Sequence, residues 1–86
     1  MNPINLSTLR KKLLYQSNNR GCKETDLVVG RFTKENINEF NEAELLELQN
    51  ILGLNDADIY DWYTNKKPLP SQHKSSIMLR LMNFKI

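Results

Sequence analysis

The chain has 86 residues, with 12 Lys and Arg against 10 Asp and Glu and a formal net charge of +2. That length holds one domain, residues 1–86, and excludes a large enzyme with separate nucleotide and substrate domains. Hydrophobic residues at 40% and charged residues at 26% describe a globular domain with a thin core, not a disordered tail. Apolar runs stop at three residues, as in Leu27-Val28-Val29, so a membrane span is not expected. The segment Met1-Asn2-Pro3-Ile4-Asn5 carries no secretory signal pattern, and a lone Cys22 excludes an internal disulfide and a four-cysteine zinc site. Both point to a reducing interior.

Five helical segments follow in chain order. Leu6, Leu9 and Leu13 recur at helical spacing, with Pro3 inside the start, Arg10, Lys11 and Lys12 on the opposite face, and Ser17-Asn18-Asn19 as a break. A second helix is expected from about Cys22 to Glu39, turning Val29, Phe32, Ile37 and Phe40 inward. Val28, Val29 and Gly30 weaken helix propensity and leave a strand at Leu27–Val29 as the alternative; a lone strand would have no partner, so helix is preferred. Asn41 with Glu44 forms a capping-box pattern ahead of Leu45, Leu48 and Leu52, and Gly53 is a left-handed stop. Asn55 caps a short fourth helix with Asp56 and Asp58 in its first turn, then Ile59, Trp62 and Tyr63, ended by Pro68 and Pro70. Ser71 caps a fifth helix bearing Ile77, Leu81 and Phe84. The expected fold is a small all-α five-helix bundle, with Trp62, Phe32, Ile59 and Leu48 in its core.

Charge is segregated along the chain. Eight acidic residues and no Lys or Arg lie between Glu35 and Asp61, whereas the remainder holds all 12 basic residues with only Glu24 and Asp26. Such a pattern either steers one specific partner or simply solvates helix faces. It is too weakly basic for a general nucleic-acid binder.

Catalytic constellations are scarce. His73, the single histidine, lies beside Lys74, and Cys22 has no second cysteine or neighbouring histidine to act as base. Phosphate-loop and HExxH patterns are missing from the sequence. The cluster Arg20-Gly21-Cys22-Lys23-Glu24 stands out instead. Arginine offers a planar fork for carboxylate or phosphate, glycine permits close backbone approach, and Glu24 falls about one turn on. The bland alternative is a helix cap, with Gly21 at the helix start and Glu24 satisfying exposed N–H groups. A second cluster, Asp58-Ile59-Tyr60-Asp61-Trp62-Tyr63, offers Trp62 as a core anchor and the Tyr60 and Tyr63 hydroxyls to solvent or a partner.

Together the clusters resemble the succinate dehydrogenase assembly factor 2 family, whose bacterial members are also called flavinators. The matching positions are Arg20, Gly21, Glu24, Asp26, Phe32, Asp58, Ile59, Tyr60, Trp62 and Pro68, within about residues 6 to 82. Cys22, Thr25 and Gly30 depart from the family pattern, Gly30 by interrupting what should be a steady helix. The resemblance implies a five-helix assembly factor, not an enzyme. Its client is the flavoprotein subunit of succinate dehydrogenase, with that of fumarate reductase as a second client. The factor promotes covalent attachment of FAD, through its 8α-methyl carbon, to a client histidine.

The resemblance further implies a monomer that holds no cofactor stably and handles FAD through its client, in a bacterial cytoplasm since no transit peptide is seen. Arg20, Gly21, Lys23, Glu24, Asp26 and Tyr60 are the expected partner-binding residues. Two rivals stand beside this reading: an antitoxin-like or regulatory helical protein-binding module, and a small enzyme using Cys22.

Overall fold

The computed structural model describes residues 5–19 and 21–85. Pro3 and Arg20 lie outside the described residues. Five α-helices are present among those described, with no strand: α1 Leu6–Asn18, α2 Lys23–Asn36, α3 Glu42–Leu52, α4 Asp56–Tyr63 and α5 Ser76–Met82. Links of four, five and three residues join the first four helices, and a longer one of twelve leads to α5. Helix α1 packs on α2 and α3, α2 on α4, and α5 on α3 and α4.

Most helix starts are written locally. Asn5 accepts from the Thr8 N–H, Asn55 from those of Ala57 and Asp58, and Ser75 from that of Met78. At α3 both bonds of the capping box form, each 2.9 Å, between Asn41 and Glu44. The fifth helix is therefore capped by Ser75, not Ser71. Ser71–His73 winds into a single 3₁₀ turn, which ends where Lys74 leaves the helical region at ψ 61°.

The second helix is shorter than its apolar pattern suggests. Cys22 is its N-cap, and after Asn36 the chain tightens into a 3₁₀ turn at Ile37–Glu39 that turns both Ile37 and Phe40 inward. Arg10 holds this corner. Half-buried rather than on an outward basic face, it donates from Nη2 to the Phe40 carbonyl at 2.9 Å and from Nε to that of Ile37 at 3.3 Å. Arg10→Ala is expected to lower stability by about 1–3 kcal/mol, because two half-buried carbonyls lose a charged donor. Arg10→Lys should recover less than half of that, since one ammonium cannot reproduce the fork. Urea unfolding followed by circular dichroism measures both.

Val28, Val29 and Phe32 of α2 are buried, as are Leu13 of α1, Leu45, Leu48 and Ile51 of α3, Ile59 of α4, and Ile77, Met78 and Leu81 of α5. Ile51 takes the inward position expected of Leu52, which is half-buried. Gly53 has φ −86°, so no left-handed residue ends α3; the Leu54 N–H bonds to the Ile51 carbonyl in a tight last turn instead. Trp62 is half-buried at the edge of the core, with its ring 5.1 Å from that of His73. The short α4 directs Ile59 inward and leaves Trp62 at the boundary.

The stop of α4 precedes the prolines. Asn65 is left-handed at φ 62°, while Lys66 N–H reaches the Asp61 carbonyl and Asn65 N–H that of Trp62. This is a Schellman ending with asparagine in glycine's usual place. Tyr63 is not offered to a partner: its hydroxyl donates to the Phe84 carbonyl at 2.6 Å. Phe84 lies beyond α5, half-buried, with its ring edge-on to Phe32 at 5.5 Å.

Gly30 does not interrupt α2, which runs unbroken through it. It is buried against the last turn of α1. A Cβ there would collide with the Asn18 carboxamide oxygen and lie 3.4 Å from the Ser17 carbonyl oxygen. The missing side chain lets the two helices approach closely.

Candidate functional site

The junction of α1 and α2 carries the basic-glycine-acidic cluster. Gly21 has φ +99°, a conformation that L side chains rarely adopt, and a Cβ built on it would meet nothing within 4 Å. Its backbone therefore requires glycine even though space is open around it. Cys22 follows as the N-cap, yet its side chain makes no capping hydrogen bond.

Its thiol instead lies 3.3 Å from Thr25 Oγ1 and 3.7 Å from Glu24 Oε2. The Thr25 hydroxyl is also 3.2 Å from the Asp56 carbonyl oxygen, and one proton serves one of these acceptors at a time. Thr25 is 1% exposed, so this buried hydroxyl ties the first turn of α2 to that of α4. A larger apolar residue would lack that bond. His73, set against Trp62, is not among the hydrogen-bond partners of Cys22.

Two readings of Glu24 are now separable. Among the described residues its carboxylate bonds no backbone N–H, and its hydrogen-bond partner is the Cys22 thiol. The helix-cap reading therefore loses its hydrogen bond, although the charge still suits the first turn of a helix. Gly21 precedes the N-cap and does not occupy it.

Asn18, Lys23, Glu24, Asp26 and Leu27 line an open depression of about 490 Å³ on this face. Lys23 and Glu24 are exposed, and Asp26 is half-buried. Of the residues expected to act together, the structure gathers Lys23, Glu24 and Asp26 around the depression, with Gly21 adjoining in the chain. Tyr60 does not line it; it is half-buried on α4, one turn after Asp56. Arg20 falls outside the described residues.

Two lining residues escaped the sequence reading. Asn18 looked like part of a helix break, but it belongs to α1 and donates to the Leu14 carbonyl at 2.9 Å. Leu27 looked like part of an apolar run, yet it is 54% exposed. The helical period held the signal: with Val28, Val29 and Phe32 inward, Leu27 shares its face with Lys23, Glu24 and Arg31.

Residues 11–85 match the family described as flavinator of succinate dehydrogenase. The chain belongs to that family. Among its curated relatives is the mitochondrial succinate dehydrogenase assembly factor 2 of Scheffersomyces stipitis, 45% identical over 76 residues, covering 85% of this chain and 51% of the relative. The FAD assembly factor SdhE of Acetobacter pasteurianus is 37% identical over 78 residues, covering 91% of this chain and 71% of the relative. The mitochondrial assembly factor 2 of Dictyostelium discoideum is 37% identical over 73 residues, covering 85% and 52%. The chain thus spans about half the length of these two mitochondrial relatives. No helix among the described residues of this flavinator-family chain is long and apolar enough to cross a membrane.

Proposed function

We propose that this chain is an assembly factor that binds the flavoprotein subunit of succinate dehydrogenase and promotes covalent attachment of FAD to it. The observation that carries this reading is the match of residues 11–85 to the flavinator family. The names of the relatives, an FAD assembly factor and succinate dehydrogenase assembly factors, agree with it. Gly21, Lys23 and Glu24, exposed at the junction of α1 and α2, supply a surface for docking.

In this reading the role is not catalytic. The bond-making chemistry belongs to flavin and client, and this chain contributes positioning and electrostatics. It holds no cofactor stably and works as a monomer in the bacterial cytoplasm, with the flavoprotein subunit of fumarate reductase as a second client. Arg20, Lys23 and Glu24 make charge-assisted contacts to the client, Gly21 sets the turn and permits close approach, and Asp26 and Tyr60 border the contact. A standard interface takes only about 800 Å² from each partner, which a bundle of this size provides.

The test is co-expression of a succinate dehydrogenase flavoprotein subunit with and without this chain, in a host lacking its own assembly factor. Covalent flavin is read as fluorescence on a denaturing gel. Wild-type chain should strengthen the flavin band. Glu24→Ala should weaken it several-fold while melting within about 3 °C of wild type, since the side chain is exposed and caps no N–H group. An unchanged band with wild-type chain, both proteins being soluble, would discard the reading for that client.

A further inference from the structure

We propose that Leu27 is the apolar anchor by which this chain seats on its client, an inference that rests on the assembly-factor reading above. Leu27 is 54% exposed, the most exposed large aliphatic side chain among the described residues, and it takes no part in the hydrophobic core. Every other large apolar residue of α2 is buried: Val28, Val29 and Phe32. Leucine at this position therefore does little for the fold, and its apolar surface faces water on the free chain.

Its surroundings define the occupant. Leu27 lines the open depression with Lys23 and Glu24, which stand four and three residues before it on the same helix face. Arg31 stands four residues after it, more than half exposed and paired with Glu35 at a loose 3.9 Å. An apolar centre ringed by exposed charges has the anatomy of a protein-binding hot spot, in which a buried anchor supplies affinity and a polar rim supplies register.

Charge complementarity then fixes the partner's chemistry. The flavoprotein surface that receives this face is an apolar side-chain socket with a carboxylate opposite Lys23 and a cation opposite Glu24. Leu79, 44% exposed on α5, lines a different groove with Arg80 and Phe84 and serves as an internal control.

The experiment measures equilibrium binding of the purified chain to the flavoprotein subunit by calorimetry, at low and high salt, with melting temperatures recorded for every variant. Leu27→Ser should melt within about 3 °C of wild type and bind at least tenfold more weakly at both salt concentrations, since the lost contact is apolar. Lys23→Glu should bind more weakly at low salt and recover toward wild type at high salt. Leu79→Ser should bind as wild type does.

Failure of the wild-type chain to bind would overturn the assembly-factor reading together with the anchor. Wild-type affinity in Leu27→Ser, with Glu24→Ala impaired, would overturn the anchor alone and leave docking through this face standing. Equal losses in Leu27→Ser and Leu79→Ser would also overturn it, because exposed leucines would then matter irrespective of place.

Discussion

Gly21→Arg should reduce client binding more than tenfold, and a companion Gly21→Ala variant separates the two physical causes. At φ +99° any L side chain carries strain of roughly 1–2 kcal/mol, so both variants should lose that much stability. For a domain of this size the loss corresponds to a fall in melting temperature of about 4–16 °C. The Cβ that both variants add finds nothing within 4 Å, so the backbone strain is common to the two. Where the two variants melt alike, whatever Gly21→Arg loses in binding beyond Gly21→Ala arises at the partner. The expected pattern is equal destabilisation, with a much larger loss of flavin attachment for arginine. Equal flavin bands from the two variants would assign the glycine to backbone conformation alone.

Gly30→Val should be the most destabilising single change considered, at about 2–4 kcal/mol, a large fraction of the 5–15 kcal/mol available to a typical domain. The first added carbon already presses on the Asn18 carboxamide and lies 3.4 Å from the Ser17 carbonyl oxygen. Asn18 is exposed and can swing away, giving up its bond to the Leu14 carbonyl. The Ser17 backbone cannot. Gly30→Ala should therefore be mild, because better helix propensity, worth about 1 kcal/mol, offsets the displaced amide. The second branch of valine instead forces α1 and α2 apart. Thermal unfolding by circular dichroism should show a fall of more than 10 °C for valine and less than 5 °C for alanine; a valine variant melting like wild type would refute close packing at this crossing.

The same two glycines show where the sequence was readable. Helix number and class followed from short-range signals: the Asn41–Glu44 box, Asn55 ahead of two aspartates, and leucines at spacings of three and four. Signals that depend on tertiary approach did not transfer. Gly30 looked like a defect because its reason lies across space, at Ser17 and Asn18. Ser71 and Ser75 are equally good caps by composition, but the turn after Ser71 stops at Lys74 while Ser75 accepts from the Met78 N–H and leads into α5. Arg10 read as one cation among three until its carbonyl partners, 27 and 30 residues away, came into view. At the candidate site, Lys23, Glu24 and Asp26 were legible because they sit within one turn of each other. Leu27 was not, since exposure on a helix is decided by what the neighbouring helices cover.

The short links between helices bear on how the chain is made. The first four helices are joined by three to five residues, and each pair that packs lies one or two helices apart in the chain; helical topologies with such local contacts fold in microseconds to milliseconds. A ribosome adds only about 5–20 residues per second. Helices α1 to α3 can thus settle together while synthesis continues, but α5 supplies Ile77, Met78 and Leu81 to the core beside α3 and arrives last. Until then the apolar seam of α3 that these residues cover stays open to water, and the emergence of α5 closes it.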